Sequence, residues 1–177
     1  LYLCHSDCNW ASLPLADGLA EIRAWMDENP REIVTFILES YISEDETFGA
    51  LVESGLAHES GEPTAGDLLY YHDAPPGSPW PTLGWMIENQ QRLVVLSTDD
   101  AANERWHLDW RAYGWETPYD DPTFTCESGR GDPKAHDNAL FILNHYTLCW
   151  HGGCEENGQV NNLLDFLVER AVGCWQK

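Results

Sequence analysis

Short continuous apolar runs alternate along the chain with segments in which apolar residues recur every three or four positions, and each run ends on a polar or ionisable residue. The runs are Leu1 to Cys4, Ile33 to Leu38, Leu93 to Leu96 and Ala139 to Leu143, with a weaker one at Tyr113 to Trp115. The alternation predicts an α/β fold whose strands are buried on both faces. Leu15, Leu19, Ile22 and Met26 share one helical face, and Asn29-Pro30 ends that helix. Ser43, followed three residues on by Glu46, is a capping box; the helix it opens buries Phe48, Leu51, Val52 and Leu56. A third, short helix is expected to start at Trp80-Pro81-Thr82 and end before Arg92. The last helix is marked by Val160, Leu163, Leu164, Leu167 and Ala171. Residues 59–78 and 118–137 are rich in Gly, Pro and acids and read as loops, with a short strand at Leu68 to Tyr71. No internal repeat is present, and the 177 residues are read as a single domain.

Charge narrows the partners. Thirty acidic against nine basic residues give a net charge of −21, which repels a polyphosphate backbone and an anionic leaflet alike. Nucleic acid is therefore not an expected partner. The basic residues are mostly Arg, so a phosphate can still be held locally in a cleft. Six cysteines in a chain rich in Trp, Gly and Pro point to an oxidising compartment and secretion. Spacing leaves the pairing open: Cys4 with Cys8, and Cys126 with Cys149 or Cys154, are the pairs it suggests. No apolar run reaches membrane-spanning length, so membrane contact is expected only as a transient surface encounter. No signal peptide is visible, and a chain that opens directly in a strand at Leu1 suggests a processed or missing beginning.

In a parallel barrel the catalytic groups project from the carboxyl ends of the strands. Here those positions hold His5, Glu39, Thr98 with Asp99, Glu116, and Asn144 with His145. An imidazole among carboxylates suits general acid-base work or metal-assisted hydrolysis. Taken singly, a strand-end His is more often a hydrogen-bonded structural residue; it is the shared placement that points to a site. Cys4, His5 and Cys8 with Cys149, His151 and Cys154 form a competing, zinc-binding constellation. Neighbours on a strand point to opposite faces, however, so Cys4 and His5 do not readily share one ion. Gly-rich phosphate loops, a Ser-centred nucleophile elbow and a two-His metalloprotease helix are absent from the sequence.

Several segments carry a family likeness: Leu3-Cys4-His5-Ser6; Asn29-Pro30-Arg31-Glu32-Ile33-Val34-Thr35-Phe36-Ile37-Leu38-Glu39; Trp80-Pro81-Thr82-Leu83; Arg92-Leu93-Val94-Val95; Glu116-Thr117-Pro118-Tyr119; and Leu140-Phe141-Ile142-Leu143-Asn144-His145. In this order they resemble the secreted PLC-like phosphodiesterases of fungi and bacteria, relatives of phosphatidylinositol-specific phospholipase C. The resemblance implies a distorted TIM-type (β/α) barrel, of which this chain would hold roughly strands three to seven of eight. It also implies phosphodiester cleavage by two histidines, one a base on the attacking hydroxyl and one an acid on the leaving oxygen. His5 matches the acid, while the His-Asn-Ser or His-Asp-Ser motif of the base has no match here. Glu39 falls where calcium-dependent relatives place a carboxylate ligand, which makes calcium the cofactor to consider; metal-independent bacterial relatives carry a basic residue there. Glu116 and Tyr119 lie near positions that bind the headgroup alcohol, and Asn144 and His145 join them as substrate contacts. Thr98 stands where relatives offer an Arg to phosphate, so Arg130 in the Ser128-Gly129-Arg130-Gly131 loop is the candidate for charge stabilisation. An Arg in such a loop otherwise faces solvent or an acidic neighbour.

The expected function is thus a phosphoric diester hydrolase acting on a lipid or small-alcohol phosphodiester. Two other readings stand beside it: a non-catalytic barrel used for binding or as a surface protein, and a zinc-stabilised structural domain. With three of eight strands outside the segment, two sheet edges would be exposed. Poor solubility and no turnover are expected of the isolated segment.

Overall fold

A computed structural model describes residues 1–4, 12–98, 105–133, 137–146, 158 and 163–175. The chain divides into two compact units, one of Leu1–Ala74 with Pro79–Asp109 and the other of Pro75–Ser78 with Trp110–Lys177. The described strands form three separate sheets.

The first unit contains β1 (Tyr2–Cys4), β2 (Ser12–Pro14), α1 (Leu15–Glu28), β3 (Val34–Leu38), α2 (Glu44–Glu53), α3 (Leu83–Glu88), β4 (Leu93–Ser97) and β5 (His107–Asp109). Three of its strands pair in parallel in the order β3-β4-β5, with Leu38 opposite Ser97 and Ser97 opposite Asp109. Central β4 is buried at every position, as a parallel strand covered on both faces should be. Edge strand β3 leaves Thr35 and Ile37 exposed. Leu19 and Met26 of α1 meet Leu51, Leu56, Leu69, Leu93, Val95 and Trp106 in one core. The capping box of α2 is formed in both directions: Glu46 N–H donates to Ser43 Oγ at 3.2 Å, and Ser43 N–H to Glu46 Oε2 at 2.9 Å.

Buried Arg92 closes the C-terminal end of α1, donating to the carbonyls of Met26, Asn29 and Glu32 at 2.9 to 3.1 Å. A helix end leaves carbonyls without intrahelical donors, and a guanidinium with five N–H groups suits several at once. Residues 68–71 are buried, with Leu69 bridged in parallel to Leu93. Arg105 pins this stretch from outside by pairing with Asp73 and Glu62 and lying 5.6 Å from the Tyr71 ring centroid.

His72 is buried beside Tyr70 and Trp80, its Nδ1 2.8 Å from the Tyr70 hydroxyl. Loss of hydration pushes its pKa below the ordinary 6.5, with nearby Asp73 pulling the other way. The unfolded chain then binds more protons than the folded one between the depressed value and 6.5, so this contribution to stability is complete above 6.5 and is lost as pH falls through the folded value. The thermal unfolding midpoint is expected to drop over that window, and His72→Gln should flatten the drop. Identical slopes in the two proteins would remove His72 from the pH response.

The second unit contains α4 (Trp110–Tyr113), β6 (Gly114–Glu116), β7 (Leu140–Ile142) and α5 (Leu164–Trp175). Strands β6 and β7 pair in parallel, with Trp115 and Phe141 stacked at 4.3 Å between centroids. A disulfide joins Cys126 to Cys174 on α5.

Several expectations are corrected. The α/β class with parallel sheets is as expected, while the described residues form no closed barrel. Leu1 to Cys4 is not a strand buried within a parallel sheet. As β1 it pairs antiparallel with β2, and Leu1, Tyr2 and Leu3 remain exposed. Cys126 joins Cys174 rather than Cys149 or Cys154, because the helical turn carrying Cys174 faces the 124–126 segment. The apolar marks of the last helix also misplace its inner face. Leu163 and Leu164 are exposed, while Arg170 and Cys174 are buried.

Candidate functional site

Parallel pairing brings strand exits to a common rim, and in the second unit this rim holds four of the residues singled out in the sequence. Glu116 ends β6 and is only 4% exposed. Its Oε1 accepts from Arg130 Nε, and its Oε2 from Asn144 Nδ2 at 3.0 Å. Asn144 lies just past β7, and the same amide donates to Thr117 O at 2.6 Å. Asn144 N–H in turn donates to Thr117 Oγ1 at 2.9 Å. Carboxylate, amide and hydroxyl thus lock the two strand exits together.

Arg130 reaches Glu116 because its backbone is tied beside β6: Glu116 N–H donates to Arg130 O at 2.9 Å, and Gly129 N–H to Glu116 O at 2.8 Å. The next residue permits this approach. Gly131 has φ of 75° and lies against the Gly114 carbonyl, where a Cβ would collide with backbone. Gly131→Ala is expected to destabilise the protein by about 1–3 kcal/mol. Chemical denaturation measures this, and an unchanged midpoint would contradict it.

A second guanidinium completes the rim. Arg170 of α5 is buried and donates through Nε to Phe124 O (3.1 Å), through Nη1 to Asn144 O (2.7 Å) and through Nη2 to Thr125 O (3.2 Å). Its Nη1 also lies 3.0 Å from His145 Nδ1. Burial lowers the Arg170 pKa from its usual value, and the charge of Asp121 opposes the shift. Asp121 itself accepts from the backbone and hydroxyl of both Thr123 and Thr125, and these bonds hold its carboxyl well below the usual range. They fix a tight loop in which Phe124 adopts a φ of 50°.

The other sequence candidates fall elsewhere. Tyr119 is 60% exposed, three residues beyond Glu116, and none of the rim bonds described above involves it. Glu39 and Thr98 follow β3 and β4 in the first unit, at the same rim of that unit's sheet; Thr98 N–H donates to Leu38 O at 3.0 Å. Glu39 is exposed. Calcium takes six to eight oxygens, and among the described residues no three His, Cys, Asp or Glu side chains gather as ligands. His5 lies outside the described residues, as do Asp99, Cys8, Cys149, His151 and Cys154.

Sequence reasoning missed Arg170 and Thr117, and also the buried His107, whose Nδ1 lies 3.1 Å from Glu44 Oε1. Arg170 left a usable signal. It falls between Leu167 and Cys174 on the inward line of α5, where a charge needs partners.

The PI-PLC X family model matches residues 1–153, and the chain belongs to that family. A PI-PLC X domain-containing protein of Arthroderma benhamiae is 27% identical over 154 residues, covering 81% of this chain and 47% of the relative. Another, from Arabidopsis thaliana, is 27% identical over 171 residues, covering 82% of this chain and 35% of the relative. The chain thus spans less than half the length of these relatives. No solved structure matches it significantly. Among the described residues no helix is long and apolar enough to cross a membrane.

Proposed function

We propose that this chain forms part of a phosphoric diester hydrolase of the phosphatidylinositol-specific phospholipase C type, acting on a lipid or small-alcohol phosphodiester. Membership of the PI-PLC X family is the observation that carries the reading. It is supported by the rim of the second unit, where Glu116, Arg130, Asn144 and His145 gather at the exits of two parallel strands. The architecture proposed for the whole protein is a (β/α) barrel.

In this reading His5 is the general acid. As the bond from phosphorus to the leaving oxygen breaks, the imidazolium proton passes to that oxygen, which departs as a neutral alcohol. An alkoxide is a poor leaving group in water, and an imidazole that titrates near neutrality suits the transfer. The rigid rim makes the headgroup contacts through Asn144 and His145, while Glu116 holds Arg130 and Asn144 in place and exposed Tyr119 offers a ring at the edge. Glu39 would supply one oxygen to a calcium ion if the rest of the protein supplies the others. The Cys126–Cys174 disulfide supports secretion.

The test is turnover. The full-length protein, mixed with vesicles containing phosphatidylinositol, is expected to release many equivalents of phosphorylated headgroup into the supernatant. Binding to the vesicles without release would reject the hydrolase in favour of a non-catalytic binding protein.

A further inference from the structure

We propose that Arg170 is a positioning residue that holds His145 as an Nε2–H donor and prevents it from acting as a base. The inference rests on the hydrolase reading for its significance and on the geometry of the second unit for its substance. A guanidinium has donors only and keeps its charge in proteins, so a ring nitrogen 3.0 Å from Arg170 Nη1 must accept. His145 Nδ1 is that nitrogen. A neutral imidazole has one proton, which is therefore on Nε2.

The ring is also kept from turning over. Phe124 stacks on it at 4.9 Å between centroids, and Phe166 of α5 lies at 5.3 Å. Phe124 takes up this position with a φ of 50°, a conformation that costs an aromatic residue energy and persists only where surroundings enforce it. The enforcing contacts are on both sides: Asp121 bonds to the flanking Thr123 and Thr125, and Arg170 binds Phe124 O and lies 5.0 Å from the Phe124 ring centroid. One helical turn on from Arg170, Cys174 ties the same helix to Cys126. A strained aromatic and a buried cation thus meet one imidazole, and a covalent link ties the helix of the cation to the segment that carries the aromatic.

The consequence is chemical. A catalytic base needs a lone pair facing the proton it takes. Nδ1 spends its lone pair on Arg170, and Nε2 has none to offer. His145 therefore serves as a hydrogen-bond donor at the strand exit, and the base of the reaction is another group.

Long-range proton–nitrogen correlation spectra of the protein read the tautomer directly and need no substrate, so the result stands apart from the outcome of any hydrolysis assay. The expected wild-type spectrum shows His145 with a pyridine-like Nδ1 and a pyrrole-like Nε2. In Arg170→Met, checked for folding by its dispersed spectrum and intact disulfide, the two nitrogens should shift toward averaged values as both tautomers populate. A wild-type ring protonated on Nδ1 overturns the proposal, as does an unchanged tautomer in the folded variant. If the variant does not fold, the wild-type spectrum alone decides: Nε2 protonation supports the proposal and Nδ1 protonation refutes it.

Discussion

His5→Ala in the full-length protein is expected to lower phosphodiester turnover by about two to four orders of magnitude, the usual range for a general acid. Without the imidazole the leaving oxygen must depart as an alkoxide or take its proton from water, and the barrier rises by the corresponding amount. Since the acid acts chiefly as the bond breaks, most of the loss should fall on kcat, with KM changing far less. A loss confined to KM would make His5 a binding residue. Unchanged kinetics would remove it from the mechanism.

The second large effect concerns stability. Arg170→Met should destabilise the protein by about 3–5 kcal/mol in chemical denaturation, because three part-buried carbonyls lose charged donors together and each unsatisfied polar group costs roughly 1–3 kcal/mol. Those carbonyls are Phe124 O and Thr125 O on one segment and Asn144 O on another, and Arg170 bonds the two segments together. Methionine fills much of the volume and restores none of the bonds. A cost below 1 kcal/mol would mean that water replaces the guanidinium and that the rim does not depend on it.

Much of this was legible in the sequence, and the exceptions have physical reasons. The four-three-four spacing of Leu15, Leu19, Ile22 and Met26, the stop at Asn29-Pro30 and the Ser43–Glu46 cap each encode local structure. All three appear as read. The run from Leu93 was legible because it is buried throughout. Short elements were not: β5 offers only His107, Leu108 and Asp109, too few residues for any period to show, and β2 likewise. The rim was legible as a list of strand ends and not as a network. Sequence placed Glu116, Asn144 and His145 by the ends of their strands but contained no sign that Glu116 divides its oxygens between Arg130 and Asn144. Arg170 was overlooked because an apolar stripe was sought on α5 and a buried charge interrupts it. The pairing of Cys126 with Cys174 depends on where α5 lies, which spacing does not encode.

The zinc-domain reading gains nothing from the described residues, of which only Cys4 belongs to its proposed ligand set. Between hydrolase and binding protein the difference is one broken bond. Phosphorus NMR of phosphatidylinositol incubated with the full-length protein observes that bond directly. The hydrolase account predicts that the diester resonance disappears, over many equivalents, into a monoester or cyclic-phosphate resonance. A diester signal that persists unchanged beside folded protein would contradict it.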